Sequence, residues 1–479
     1  MKLRVLLLVL FLIGFFTNGI AQSKTSKIQF TSSLFSTNKY YLVGNYGKYQ
    51  TLLDSVVATK NGVVVFQKQE KYVSGIYMLV DADKKIVYEF LMDEIQQFDI
   101  QPNFENPKNT TIENSELNRD FNEFNIFFKS NLDELSKLKQ QLNEQKNKQD
   151  SLGVQNQIKL IQEKIATHKK QYISKHPNNM MALLFRLTSP IDDFSELPEN
   201  QILATKSDTI TYLKKNFFKG IDLSDLRILR TPFLDNRMDL YFNTFVAQTP
   251  EEVTKEVFSI LDKTGDRNGE VFKYLSLHFV NKYVEPKIMG LDRVFLNIYE
   301  TYFKNKNYDW LKLEQIEFLK YNDKALKNNQ VGAKAPNLFM TTSDEKRIDL
   351  YDIQAPYVVL VFWDPTCGHC TKEIPKMITT YNESWKQKGV KVFAINNNSK
   401  ENPKWREFID KEKLQDWINA YPPSAITGNY TQEEVDFQSL YNVRQTPVVF
   451  LLDKDKKIIA KKIGFENYLK LIEDLEAKK

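Results

Sequence analysis

The chain has 479 residues, which is too long for one ordinary hydrophobic core and predicts about three folded units. Apolar residues make up 42% of the sequence, enough for packed cores throughout. Lys and Arg (66) nearly balance Asp and Glu (61), and the charges are interspersed, which argues against a nucleic-acid-binding surface.

The first 21 residues are typical of a Sec-type signal peptide. Lys2 and Arg4 precede an apolar run over residues 5–16, and small residues follow as far as Ala21. The run is shorter than the about 20 residues of a membrane span, although a retained N-terminal anchor is the alternative. We therefore expect export to the periplasm. Cleavage after Ala21 would leave no cysteine near the new terminus, so the chain is not expected to be a lipoprotein.

Residues 26–103 are predicted to form a small β domain, an antiparallel sandwich or sheet. Asn61-Gly62 separates two apolar runs, and both residue types accept the positive φ of a tight hairpin turn. Residues 81–85 provide a second connection of this type. No catalytic group of residues is evident in this region.

Residues 113–330 are predicted to be α-helical, because glycine is rare and apolar residues recur at helical spacing. Ser151-Leu152-Gly153 is predicted to break two long helices. Thr249-Pro250 provides a cap and a proline for the start of another helix. The aromatic residues at Phe242, Phe245 and 299–303 fit either core packing, which we favour, or a peptide-binding face.

Residues 331–479 alternate apolar runs with helical patterns, which predicts an α/β domain. The predicted strands are Tyr357–Trp363, Lys391–Asn396, Val448–Asp453 and Lys457–Ile463. The predicted helices are Cys370–Gly389, Trp405–Lys411 and Tyr468–Ala477.

The chain's two cysteines, Cys367 and Cys370, lie two residues apart where an apolar strand is predicted to give way to a helix. A bridge between them would close a very small loop and would constrain the unfolded chain little. The pair is therefore better explained by redox chemistry than by stability, even in an exported protein.

Several features together resemble the thioredoxin superfamily, specifically the TlpA/ResA-like exported thiol-disulfide oxidoreductases with N-terminal accessory domains. They are Gly332–Pro336, Val361–Trp363, Cys367–Cys370, Glu373, Pro375 and Thr446-Pro447. The resemblance implies a thioredoxin fold for residues 331–479 and an exchange of disulfides with protein substrates. It also implies a membrane electron donor as a further partner. We expect no cofactor.

The two cysteines have different expected roles. Cys367, at the mouth of the helix, faces unpaired N–H groups that favour the thiolate, so it is the expected nucleophile. Cys370, one turn further on, resolves the mixed disulfide and forms the redox-active disulfide with Cys367.

Three neighbouring polar residues are candidates for supporting this chemistry. His369 could stabilise the Cys367 thiolate when protonated, or it could be a solvated side chain that only fits the turn. Glu373 matches the functional acid of the family and could manage the Cys370 proton, or it could be an exposed helix glutamate. Asp364 competes for the same role, or it caps the helix.

Thr446-Pro447 is expected to be a cis peptide facing the dithiol, since X-Pro bonds are where cis peptides occur. By resemblance this loop binds substrate backbone. Trp363 and Pro365 are expected to pack around the exposed sulfur and contribute to substrate binding, or to serve only as scaffold.

Two other classes of function compete with this interpretation. A zinc site needs about four ligands, and His168, His176 and His278 are scattered, so we expect no metal. A non-catalytic envelope binding or scaffold protein is the second alternative. Among enzymes, reductase is favoured over isomerase or oxidase, although Gly368-His369 between the cysteines resembles disulfide isomerases.

Overall fold

The computed structural model describes residues 25–144, 148–191, 197, 203–398, 402–422 and 437–477. The predicted signal peptide lies outside these residues. Within them, no helix combines the length and apolar character required to cross a membrane.

The described chain forms two compact units. One comprises residues 25–191 with Lys219–Ile221 and Arg227–Arg237, and the other comprises residues 203–218, Asp222–Leu226 and the described residues from Met238 onward. N-terminal β-sheets are followed by a helical middle and by a C-terminal region built on a sheet. The domain boundaries derived from the sequence stay predictions.

The N-terminal strands form two four-stranded sheets that share one buried apolar core. Their orders are β4-β1-β7-β8 and β3-β2-β5-β6. The strands are β1 Ser26–Thr31, β2 Lys39–Tyr46, β3 Tyr49–Val57, β4 Val63–Lys68, β5 Gly75–Val80, β6 Ile86–Met92, β7 Gln97–Gln101 and β8 Thr111–Glu113.

The predicted hairpin at Asn61-Gly62 is wrong. Gly62 does make a turn at φ 68°, but β3 pairs with β2 and β4 pairs with β1, so the turn carries the chain from one sheet to the other. The second connection, at residues 81–85, is confirmed, because it joins the antiparallel neighbours β5 and β6. The expectation of a purely antiparallel region fails at β1 and β7, which run parallel.

Two long helices and a short one follow these sheets, namely α1 Glu116–Glu144, α2 Lys148–Lys175 and α3 Met180–Leu187. Leu135 and Leu138 of α1 pack against Ile161 of α2. The predicted break at Ser151-Leu152-Gly153 is wrong, because these residues lie within α2. A single glycine inside a helix costs only about 1 kcal/mol, which the rest of a long helix tolerates.

The helical middle continues with α4 Lys206–Asn216, α5 Leu234–Phe245, α6 Pro250–Asp262, α7 Glu270–Val284, α8 Asp292–Ile298 and α9 Leu313–Lys327, with a π-helical turn at Tyr299–Phe303. The predicted start of α6 is confirmed, since the Thr249 hydroxyl accepts a hydrogen bond from the Glu252 N–H and Pro250 occupies the first turn. The aromatic residues Phe242, Phe245, Tyr299, Tyr302 and Phe303 are buried, which confirms the core interpretation.

The C-terminal region is built on a seven-stranded sheet of order β10-β9-β13-β12-β11-β14-β15. The strands are β9 Phe339–Thr342, β10 Arg347–Asp349, β11 Tyr357–Trp363, β12 Lys391–Asn396, β13 Ile418–Tyr421, β14 Val448–Asp453 and β15 Ile458–Lys461. The helices are α10 Cys370–Thr380, α11 Asn402–Lys411, α12 Phe437–Leu440 and α13 Tyr468–Glu476. Short helical turns lie at Tyr381–Trp385, Leu350–Asp352, Leu414–Asp416 and Phe465–Asn467.

Strand β11 positions the dithiol. All seven of its residues are apolar and buried, as expected for a central strand covered on both faces. Val359, Val361 and Trp363 point into the core that contains Cys370 and α10. Val358, Leu360 and Phe362 point into the core on the opposite face.

The predicted strands β11, β12 and β14 are confirmed residue for residue. β15 ends earlier than predicted, at Lys461, because Lys462 adopts positive φ. α10 ends at Thr380, where a π-helical turn replaces its predicted continuation. β9, β10 and β13 were not predicted, since strands of three or four residues show too little periodicity.

Candidate active site

The loop between β11 and α10 carries the first cysteine, and Asp364 holds its shape. Its Oδ1 accepts hydrogen bonds from the N–H and the hydroxyl of Thr366, both at 2.7 Å. Its Oδ2 accepts from the Asn398 amide at 3.1 Å, and its carbonyl oxygen accepts from the Cys367 N–H at 3.1 Å. Asp364 is therefore a loop residue here, and the alternative in which it caps α10 is wrong.

The two thiols are free and differ in their exposure to solvent. Cys367 is partly exposed and Cys370 is fully buried. The Cys370 sulfur accepts a hydrogen bond from the Asp364 N–H at 3.4 Å, and the Cys367 thiol donates to the Thr446 carbonyl oxygen at 3.4 Å. The Cys367 sulfur can thus contact another molecule, while the Cys370 sulfur is enclosed in the core.

The surroundings shift the acidities of the two thiols in opposite directions. The backbone N–H of Cys370 donates to the Cys367 sulfur and is the largest cause that holds the pKa of Cys367 below its ordinary value. A hydrogen bond with the Thr446 side chain and one from the His369 N–H act in the same direction. Burial raises the pKa of Cys370 to about 12. Cys367 is therefore the thiol that ionises first.

His369 is exposed at the start of α10. Its carbonyl oxygen accepts hydrogen bonds from the N–H groups of Lys372 and Glu373, at 3.1 and 2.9 Å. The backbone N–H of His369 donates a hydrogen bond that lowers the pKa of Cys367. The contact with the sulfur therefore comes from the His369 backbone.

Glu373 lies on the first turn of α10, three residues after Cys370. Its side chain is 37% exposed and forms an ion pair with Lys376, at 2.7 Å between carboxylate and ammonium. The carboxylate is thus partly exposed on the surface of α10.

The Thr446-Pro447 peptide bond is cis, as predicted. It directly precedes β14, the antiparallel neighbour of β11, and this pairing brings it to the end of the sheet where the dithiol lies. The hydrogen bond from Cys367 to Thr446 is the result.

Trp363 and Pro365, for which the sequence left both substrate binding and a scaffold role open, are buried. Trp363 has no exposed surface and packs against Phe408, with ring centroids 5.2 Å apart. Pro365 is buried as well. Trp363 follows the alternation of β11, which places it on the same face as Val361, and its burial favours the scaffold alternative.

Among the residues that the structure describes, there is no group of three or more His, Cys, Asp or Glu side chains close enough together to hold a metal ion. His168 stacks on Phe127, with ring centroids 4.6 Å apart.

Sequence reasoning missed Arg444, two residues before Thr446. Its guanidinium donates to the Asn322 side chain and lies over the Tyr321 ring, 5.1 Å from the centroid. Both partners belong to α9, more than a hundred residues earlier, so no local pattern could have indicated them.

Comparison with known proteins finds one matching family and several similar proteins. Residues 331–461 match the AhpC/TSA family. A thiol-disulfide oxidoreductase ResA of Bacillus cereus is 32% identical over 149 residues, which cover 30% of this chain and 79% of that protein. ResA of Bacillus subtilis is 27% identical over 128 residues, or 27% of this chain and 64% of that protein.

Two solved structures are also similar. A domain of a possible thiol-disulfide isomerase from Cytophaga hutchinsonii is 39% identical, with a TM-score of 0.28, and the match covers 31% of this chain and 94% of that one. A thioredoxin-like protein from Bacteroides caccae is 20% identical, with a TM-score of 0.46, and the match covers 57% of this chain and 96% of that one.

Proposed function

Because this chain belongs to the ResA-like thiol-disulfide oxidoreductases of the thioredoxin superfamily, we propose that it is an exported enzyme that reduces protein disulfides with Cys367 and Cys370. One observation carries the proposal. A partly exposed thiol of lowered pKa lies one helical turn from a buried thiol of raised pKa. A thiolate is the reactive form in disulfide exchange, so this difference gives the two sulfurs an order of action.

In the proposed reaction, the Cys367 thiolate attacks one sulfur of a substrate disulfide. A mixed disulfide forms and the other substrate sulfur leaves as a thiolate. Cys370 then loses its proton and attacks the Cys367 sulfur, which releases the second substrate thiol. The substrate gains two electrons and two protons, and the enzyme is left with a Cys367–Cys370 disulfide.

The residues around the dithiol have proposed supporting roles. The His369 N–H stabilises the Cys367 thiolate. Glu373, one turn beyond Cys370, takes the proton that the buried thiol must lose. Thr446 and Pro447 meet the substrate backbone, because the Thr446 carbonyl already faces the attacking sulfur.

Export to the periplasm and recycling by a membrane electron donor complete the proposal. The charged start, the apolar run over residues 5–16 and the small residues ending at Ala21 support export. Cell fractionation with N-terminal sequencing of the mature protein tests it, and a cytoplasmic protein that retains Met1 would contradict it.

Insulin reduction by the purified protein, compared with its Cys367→Ser variant, tests the catalytic proposal. We expect turnover that depends on Cys367. Equal rates for the two proteins would favour the envelope scaffold instead.

A redox titration of the dithiol against glutathione then decides the direction of electron flow. We expect a potential near that of thioredoxin, about −270 mV. A value near that of DsbA, about −120 mV, would make the protein an oxidase, and an intermediate value near −180 mV would favour an isomerase.

A further inference from the structure

A groove of about 700 Å³ in the second unit is lined in part by residues of α10 and by Pro447 of the cis peptide. Glu373 of α10 and Pro447 of the cis peptide are among the residues that line it. Residues 284–290, which lead from the end of α7 toward α8, line it as well, and so do residues 461–466. The volume falls within the range of specific ligand sites, about 300–1,000 Å³. The helical middle and the sheet region therefore share this groove.

The segment 284–290 is fixed to the sheet region. The Met289 sulfur accepts a hydrogen bond from the Lys461 N–H at 3.4 Å, and its side chain packs against the core that contains Cys370. Next along the chain, Asp292 forms an ion pair with the Lys461 ammonium, and both side chains are almost fully buried. Burial of a charged pair with its hydrogen-bond partners fixes two elements in one arrangement.

Arg444, two residues before Thr446, connects the cis-peptide loop to the helical middle. Beyond its contacts with α9, its guanidinium lies 3.7 Å from the carboxylate of Glu285, which also lines the groove. The loop that presents Thr446 to Cys367 is thus held against the helical middle.

The exposed surface of the segment includes one conspicuous apolar side chain. Ile288 lines the groove and is 44% exposed, although its neighbour Met289 is tucked against the core. The charged side chains around the groove come in both signs: Lys287, Arg444 and Lys462 against Glu285, Glu373 and Glu466. A surface with charges of both signs does not select a strongly charged ligand. Discrimination between ligands therefore depends on the apolar contact with Ile288.

We propose that residues 284–290 form the second wall of the substrate site, and that Ile288 selects polypeptides with an apolar residue beside the target cysteine. The occupant is an extended polypeptide segment, because Pro447, which lines the groove, directly follows the residue whose carbonyl oxygen contacts Cys367. A chain that brings a disulfide sulfur to Cys367 therefore lies next to a residue of this groove. The inference rests on the proposed thiol-disulfide exchange and adds a substrate class to it.

Single-turnover reduction by the pre-reduced full chain tests the proposal without an external reductant. The two thiols supply the two electrons and two protons that one disulfide consumes. The probes are two peptides whose cysteine is disulfide-bonded to glutathione, one with leucines and one with serines beside that cysteine. Glutathione disulfide is the third probe. The measurement is the second-order rate constant for each probe, from stopped-flow tryptophan fluorescence.

We expect the wild-type protein to reduce the leucine peptide about tenfold faster than the serine peptide, as burial of one apolar side chain predicts. Ile288→Glu should bring this ratio close to one, and the milder Ile288→Ala should lower it by a smaller factor. Ile210→Glu is the matched control, since Ile210 is 40% exposed on α4 and does not line the groove. It should keep the wild-type ratio.

An unchanged leucine-to-serine ratio in both Ile288 variants would overturn the inference, and so would an equal loss in Ile210→Glu. Either result leaves the proposed function standing if the wild-type protein reduces all three probes. Failure of the wild-type protein to reduce any of them, glutathione disulfide included, would remove the proposed function and this inference together.

Discussion

The Cys367 sulfur lies 3.4 Å from the backbone carbonyl oxygen of Thr446, the residue that forms a cis peptide with Pro447. The thiol donates to this oxygen only while it carries its proton. Ionisation of Cys367 therefore frees the carbonyl at the moment when the sulfur becomes nucleophilic. A substrate N–H that approaches the thiolate then finds an acceptor beside it.

Alkylation of Cys367 should follow a titration curve with its midpoint below the ordinary cysteine value of about 8.5. The pKa of this thiol is lowered, so its thiolate, the reactive form, persists to lower pH and disappears as the pH falls through that pKa. Iodoacetamide labelling of the Cys370→Ser variant between pH 5 and pH 10 measures it, with the protein denatured in urea as the reference. A midpoint equal to that of the denatured chain would contradict the prediction.

The buried partner gives the opposite result in the same experiment. Burial raises the pKa of Cys370 to about 12, so the Cys367→Ser variant should stay almost unlabelled below pH 10. Rapid labelling of Cys370 near neutral pH would mean that the interior of the site opens to solvent.

Replacement of His369 by alanine should move the Cys367 midpoint by less than about half a unit. The backbone N–H that contacts the sulfur is retained in the variant, and an exposed imidazole is screened by water. The same labelling series measures the shift. A rise of one unit or more would instead show that the protonated imidazole stabilises the thiolate.

The sequence predicts those parts of the site that depend on local residue identity. The continuous apolar run of β11 identified a central strand, the two cysteines identified the redox pair, and Thr446-Pro447 identified a cis peptide. The alternation of β11 also accounts for the burial of Trp363, which lies on the face of Val361.

The remaining features depend on segments that are far apart in the chain. Lys461 and Asp292 are separated by 169 positions, and neither has a neighbour in sequence that indicates its partner. Arg444 and Asn322 are separated by 122 positions. Short strands such as β13, with four residues, pair because of the sheet around them and not because of their own pattern.

Replacement of Asp364 by alanine should destabilise the second unit by about 1–2 kcal/mol, because the Thr366 N–H, the Thr366 hydroxyl and the Asn398 amide lose a charged acceptor. Urea unfolding followed by tryptophan fluorescence measures this, since all five tryptophans belong to that unit. Thr366→Ala removes only one of the three bonds and should cost less. Equal stability of Asp364→Ala and the wild type would show that water replaces these bonds.

Replacement of Lys461 by methionine should cost about 3–5 kcal/mol, because Asp292 would keep a buried charge without its cation. The double variant Lys461→Met/Asp292→Leu removes both charges and should recover most of this loss, as apolar replacements of buried pairs commonly do. The same urea titration compares the three proteins. A double variant as unstable as the single one would contradict the electrostatic explanation and indicate lost packing.

Replacement of Glu373 by glutamine should slow the second step of the reaction and spare the first. Resolution requires Cys370 to lose its proton, and burial raises the pKa of this thiol to about 12. Glu373 is the carboxylate one turn away on the same helix. A positioned general base contributes at least about 10²-fold, so the mixed disulfide should accumulate in the variant and be visible by acid quench and mass spectrometry. Attack by Cys367 should keep its rate.

Lys376→Gln is the matched control for Glu373. It breaks the same 2.7 Å ion pair but leaves the carboxylate in place, so the mixed disulfide should resolve at close to the wild-type rate. If both variants resolve normally, Glu373 is an ordinary exposed glutamate of α10 and the proton of Cys370 leaves directly to water. If both are equally slow, the ion pair matters for the geometry of α10 and not for proton transfer. Slow resolution in Glu373→Gln alone is the result that assigns the proton to this carboxylate.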